Sequence, residues 1–297
     1  MIEDRPLIYK YLRHDKKFPH VWCPGCGIGT LLGSLIRAID HIGYTKDEIV
    51  MVSGIGCSGR LPVYVDFNTL HTTHGRALTF ATGVKLAKPE LKVIVIMGDG
   101  DATAIGGNHF IHAARRNIDL TAIIVNNSIY GMTGGQYSPT TPYGDRATTA
   151  TYGTVEQSFN ISQLAVCAGA VYVARGTVYH TRQLDQLIEK ALQKKGFSVV
   201  EVISQCQTHF GRLNKRGNQI EMLKWQRDHA VSVEKAKTLS AAEMADKFET
   251  GVLVDREAPT YHEEYIKLRQ KAKEAMIPSM EKEEKEESDR REASDRH

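Results

Sequence analysis

Two uninterrupted apolar runs limit this chain's fold more than any other feature. KVIVIM (92–97) and the AIIV of TAIIVNN (121–127) carry Val, Ile, Ala and Met with no polar residue in alternation. A strand with one wet face alternates, so a continuous run of this length belongs to a strand covered on both faces, as in a parallel sheet between two helical layers. EIVMVS (48–53), AVYVARG (170–176) and FSVVEVIS (197–204) extend the same pattern. Between them lie segments with apolar residues at helical spacing: 28–42, ended by Gly43, then 104–116, 161–170 and 181–196. Strand and helix alternate repeatedly, which predicts an α/β fold, a doubly wound, mostly parallel sheet.

The texture changes at about residue 207. Residues 207–280 are polar with intermittent helical periodicity and no buried-strand run, and read as a C-terminal extension packing on the 1–206 domain or on a partner chain. Residues 281–297 hold eight acids and five bases. They cannot bury enough surface to fold alone and are expected to form a solvated or disordered tail. The formal charge of +3 is spread along the chain, with no basic stripe interleaved with aromatics, so nucleic acid is not an expected partner. No apolar run approaches the roughly 18 residues that cross a bilayer. The N-terminal stretch is polar and mixed in charge, unlike a signal or transit peptide, and the expected location is the cytoplasm. There, cysteines that cluster point to metal or redox use rather than structural disulfides.

Gly54-Ile55-Gly56-Cys57-Ser58-Gly59 matches a dinucleotide fingerprint, G-x-G-x-x-G. That motif needs a helix after the glycines and an acidic residue about 20 positions on. LPVYVDF does not open a helix, and no Asp or Glu occurs between Asp66 and Glu90, so the nicotinamide reading is set aside. Gly98-Asp99-Gly100-Asp101, with Asn126-Asn127 one helix and one strand later, is more specific. Asp99 leaves one buried strand and Asn127 leaves another, at the carboxyl ends where open α/β sheets bind ligands. Two oxygen donors arriving there, beside free N–H groups at a helix start, suit Mg²⁺ and a diphosphate. His74 can donate to a phosphate oxygen. Cys23-Pro24-Gly25-Cys26 is open to three readings from the residues alone: a redox pair, half of a zinc site, or half of an iron–sulfur site. Gly25 and Gly27 are expected to let the backbone pass close to any cluster. Cys167, among Leu, Ala and Val in a helix, is expected to be a buried thiol.

The GDG…NN pair resembles the thiamine diphosphate motif. With HGRALTFATGVKLA (74–87), GDGDATAIGGNHF (98–110) and NNSIYGMTGGQYSPTTPYG (126–144), residues 18–215 resemble the β subunits of the 2-oxoacid:ferredoxin oxidoreductases, most closely the 2-oxoglutarate type. The resemblance implies the diphosphate-binding fold of thiamine enzymes, with Asp99, the Asn127 side chain and the Ile129 carbonyl on Mg²⁺. It implies cofactor contacts from Ile55, Gly56, Cys57, Ser58, His74, Gly100, Asp101, Gly131 and Met132. It further implies that Cys23, Cys26, Cys57 and Cys206 hold one 4Fe-4S cluster, although a Cys₄ zinc site is chemically possible. Arg60 is assigned to the substrate's 1-carboxylate.

The implied reaction is CoA-dependent oxidative decarboxylation of 2-oxoglutarate to succinyl-CoA and CO₂, or its reverse, with electrons leaving through the cluster to ferredoxin. Pyruvate or a broad range of 2-oxo acids is the alternative substrate. A non-redox thiamine decarboxylase or synthase would not need the four cysteines, and an iron–sulfur electron carrier would not need Asp99 and Asn127. The chain has room for one α/β unit, so an α subunit with the pyrimidine-binding domain and the activating glutamate is the expected partner, in an αβ or (αβ)₂ heterodimer.

Overall fold

The computed structural model describes residues 6–15 and 18–276; the predicted tail 281–297 lies outside them. Eight strands form one sheet: β1 (Ile49–Ser53), β2 (Asn68–His71), β3 (Lys92–Gly98), β4 (Thr121–Asn126), β5 (Tyr172–Thr177), β6 (Ser198–Ile203), β7 (Ala230–Ser232) and β8 (Phe248–Asp255). Their spatial order is β2-β1-β3-β4-β6-β5-β8-β7. The pairings from β2 through β5 are all parallel, and β8 joins β5 antiparallel.

The continuous runs are buried on both faces because alternate residues serve different layers. Ile94 and Ile96 of β3 and Ile123 and Val125 of β4 pack into the layer formed by helices Gly27–Ile42 and Thr181–Gln193. Val93, Val95 and Met97 of β3 and Ala122 and Ile124 of β4 pack into the layer of helices Ala77–Ala87, Gly107–Arg115 and Ile161–Ala168. This is the mostly parallel, doubly wound sheet expected from the strand pattern.

Three features differ from the sequence reading. The half-exposed edge strand β2, NTLH, has no apolar run to betray it. The segment after residue 207 is not purely peripheral, since β8 and β7 lengthen the core sheet by two strands. Cys167 is exposed rather than buried. Its helix buries Ile161, Ser162 and Ala165, and at about 100° per residue position 167 falls on the opposite face from 165.

From the carboxyl end of β1 the chain moves to β2 on one side, while from β3 it moves to β4 on the other. The divergence opens a crevice between β1 and β3, the place where sheets of this kind bind ligands.

Candidate active site

Three loops wall the crevice: 54–58 after β1, 98–101 after β3 and 127–133 after β4. The glycines of the first two are demanded by close approach. A Cβ on Gly54 would stand 1.8 Å from Asp101 Oδ2, and one on Gly100 would stand 2.2 Å from the Tyr130 ring. Gly54–Gly59 leads into a short 3₁₀ turn, Ser58–Val63, and not the long helix of a dinucleotide site. The helix predicted over 104–116 is Gly107–Arg115, and a separate short helix, Asp99–Thr103, starts at the aspartate itself and ends in a break at Ala104.

Asp99 and Asp101 are both almost fully buried. Asp99 Oδ1 accepts from the Gly100 N–H at 2.9 Å, and Oδ2 accepts from Ser138 Oγ at 3.0 Å and from Thr140 Oγ1. Burial pushes the Asp99 carboxyl up, and these hydrogen bonds only oppose that shift. Asp101 Oδ1 accepts from Gly75 N at 2.7 Å and Ile55 N at 3.3 Å, which ties two loops together. Its pKa is also raised by burial. His74 Nδ1 lies 2.6 Å from Asp101 Oδ1 without hydrogen-bond alignment, and Asp101 Oδ2 is buried without a partner. Two buried carboxylates, with no Lys or Arg against them among the described residues, form an electrostatic site that a hard cation would complete. Ser128, at φ 59, turns the chain between Asn127 and Ile129, and Asn127 Oδ1 accepts from Ile129 N at 3.4 Å.

The resulting cavity, about 220 Å³, is lined by Ile55, Gly56, Cys57, Ser58, His74, Asp99, Gly100, Asp101, Asn127, Ile129, Gly131 and Met132, together with Tyr130 and Thr133. The structure therefore brings the residues assigned to the diphosphate and its metal to one place. Cys23, Cys26, Cys206 and Arg60 do not line it. Arg60 is exposed on the 3₁₀ turn, and its backbone N–H donates to the Cys57 carbonyl. Ser138 and Thr140, which hold Asp99, were missed in the sequence because nothing distinguishes them in a loop full of Thr and Ser. A larger, mainly apolar cavity of about 370 Å³ shares Asn127 with this one and lacks Asp99 and Asp101.

Behind the cavity the four predicted cysteines gather. Cys57 Sγ and Cys206 Sγ each lie 3.6 Å from where a Cβ of Gly131 would stand. Burial first, then the charges of its thiol neighbours, pushes Cys57 up to about 11. Burial also takes Cys26 up to about 12, opposed by a hydrogen bond from the Ile28 backbone and reinforced by Cys57, Cys206 and Cys23. Four cysteine thiols brought together suit either a 4Fe-4S cluster or a tetrahedral zinc ion. Trp22, buried, donates from Nε1 to the Cys57 carbonyl at 2.7 Å and closes this side. A Cβ on Gly25 would meet Gln219 at 2.7 Å, and one on Gly27 would meet Ser204 Oγ at 2.4 Å, so close approach of other parts of the chain demands both glycines.

Residues 54–202 match the family model of the thiamine pyrophosphate enzymes' C-terminal TPP-binding domain. The chain is 49% identical to the 2-oxoglutarate synthase subunit KorB of Methanocaldococcus jannaschii over 264 residues, 89% of this chain and 97% of the relative. It is 61% identical to the subunit of the same name from Archaeoglobus fulgidus over 199 residues, 67% of this chain and 74% of that one. Among solved structures it superposes on the 2-oxoglutarate:ferredoxin oxidoreductase of Magnetococcus marinus, determined with 2-oxoglutarate, coenzyme A and succinyl-CoA bound. The TM-score is 0.80 at 35% identity, with 91% of each chain covered. With the GDG and NN residues walling one crevice and this likeness along nearly the whole chain, the protein belongs to the 2-oxoacid:ferredoxin oxidoreductase β subunits, in the 2-oxoglutarate synthase branch.

Proposed function

We propose that this β subunit binds thiamine diphosphate and Mg²⁺ in the 220 Å³ crevice and passes electrons outward through a 4Fe-4S cluster to ferredoxin. One observation carries the reading: Cys57 belongs at once to the wall that holds Asp99 and Asn127 and to the group of four thiols. A metal held there lies next to the cofactor, which an electron outlet needs and a structural ion does not. The thiamine ring, when bound, supplies the electron sink for losing CO₂ from a 2-oxo acid.

The chain's own residues prepare for it. Ser138, Thr140 and the Gly100 N–H aim the Asp99 carboxylate at the metal position, where Asn127 and the Ile129 carbonyl complete the protein's share. Backbone N–H groups of the 56–58 loop would receive the diphosphate, as glycine-rich turns do. Asp101 locks the loop carrying His74 to the loop carrying Cys57. Cys23, Cys26, Cys57 and Cys206 are the cluster ligands. Arg60 stands outside the crevice, where it anchors the 1-carboxylate of 2-oxoglutarate once a partner covers the mouth. That partner is an α subunit bringing the activating glutamate, in an αβ or (αβ)₂ assembly that also receives coenzyme A. The 1–206 segment is the cofactor-binding domain and 207–280 its extension. Among the described residues no helix is long and apolar enough to cross a membrane, and the proposed location is the cytoplasm.

The test is reconstitution with the α subunit under anaerobic conditions, following ferredoxin reduction with 2-oxoglutarate or pyruvate in the presence of coenzyme A. A higher kcat/KM for 2-oxoglutarate is expected. A higher value for pyruvate overturns the substrate assignment.

A further inference from the structure

The two residues flanking Cys206 reach across the fold to the loop between Cys23 and Cys26. Gln205 Nε2 donates to the Gly25 carbonyl at 2.7 Å, and Gln207 Nε2 donates to the Pro24 carbonyl at 2.6 Å. These contacts span 180 and 183 residues of sequence. Pro24 and Gly25 are the two residues between the cysteines, so both carbonyls of that short loop are held from the segment that carries the fourth cysteine.

A third amide stands behind them. Gln226, on the helix Gln219–His229, donates from Nε2 to Gln205 Oε1 at 2.9 Å. Gln205 and Gln226 are both nearly fully buried. A buried amide left unpaired costs about 1–3 kcal/mol, so this chain of amides resists opening. Gln219, the first residue of the same helix, packs its side chain on Gly25 where a Cβ would collide. The helix is held in place by its capping box, Asn218 with Glu221.

We propose that Gln205, Gln207 and Gln226 form an amide clamp that keeps the Cys23–Cys26 loop and Cys206 at fixed separation, and that the extension helix is what braces it. The three are positioning residues, since they act on the backbone of the ligand loop and touch no reacting atom. Through this clamp the extension holds together two ligand segments that are far apart in sequence. The inference rests on the reading of the four cysteines as cluster ligands.

The test uses the full chain, purified and reconstituted anaerobically with iron and sulfide, in wild-type form and as Gln207→Leu and Gln226→Leu. Iron and sulfide content, absorbance near 400 nm, the rate of bleaching by an iron chelator and the midpoint potential are measured, with circular dichroism to establish folding. Supporting residues around metal ligands are generally worth 10–100-fold in metal retention. Folded Gln207→Leu and Gln226→Leu are therefore expected to bleach about tenfold faster or more than wild type, with a shifted midpoint potential as the ligand loop moves. Gln207 is only partly buried, so its replacement decides the matter even where loss of Gln226 unfolds the chain. Folded variants that bleach at the wild-type rate with an unchanged potential overturn the clamp. Wild type that takes up no iron and sulfide overturns the cluster reading beneath it.

Discussion

Asp99 is a carboxylate that the fold aims before any metal arrives. Its two hydroxyl partners are 39 and 41 residues away, and they fix which lone pairs remain for a cation. Thr140→Val, which keeps the shape and removes the hydroxyl, is expected to weaken Mg²⁺-dependent thiamine diphosphate binding about 10–100-fold, measured by calorimetric titration. A second buried acid behaves differently. Burial alone would push the Glu201 carboxyl up, but Arg175, at 2.8 Å, and hydrogen bonds from Ser162 and Asn126 hold it below the usual range. A carboxyl depressed in the folded state stabilises above its unfolded pKa, about 4.3, and that contribution is lost as pH falls through the folded value. Arg175→Met strands the charge and is expected to cost about 3–5 kcal/mol at neutral pH. The gap to wild type should narrow as pH falls below about 4.3 and Glu201 becomes protonated, as read from urea midpoints between pH 3 and 7.

At the scale of elements, the strands with continuous apolar runs were legible because burial on both faces leaves a mark in every residue. The edges were not. β2 is polar and β7, the opposite edge, spans only three residues, because an edge strand meets water and needs no apolar run. The helix Gly27–Ile42 was legible from its period and its terminating glycine, Gly43 at φ 82. Leu35 of this helix is fully buried in the layer over the sheet. Leu35→Ala is expected to cost about 2–5 kcal/mol, seen as a lower urea midpoint by circular dichroism. Cys167 shows the limit of such reading: apolar neighbours in sequence do not say which side of a helix a residue occupies.

For the molecule as a whole, the function proposed above makes the crevice half of an active site. The purified chain alone is expected to retain thiamine diphosphate in the presence of Mg²⁺ and to reduce no ferredoxin with any 2-oxo acid. Adding the α subunit should start turnover. Chelating Mg²⁺ should release the diphosphate, measured by dialysis, and restoring Mg²⁺ should recover it. Among the described residues Asp99 and Asp101 have no Lys or Arg side chain against them. Turnover by the isolated chain would remove the argument for an obligate partner.

The sequence by itself determined the layers of the sheet, through the period of its apolar residues, and the identities of the paired motif residues, through their place at strand ends. Both are local signals: a strand's burial and the residue that leaves it are written within one short segment. Only the tertiary structure decided which hydroxyls hold Asp99 and that Gln205 and Gln207 grip the Cys23–Cys26 loop. Those are contacts between loops tens to nearly two hundred residues apart. Loops have no period, so the partner of a polar side chain there is set by where the sheet delivers it and not by its neighbours in the chain.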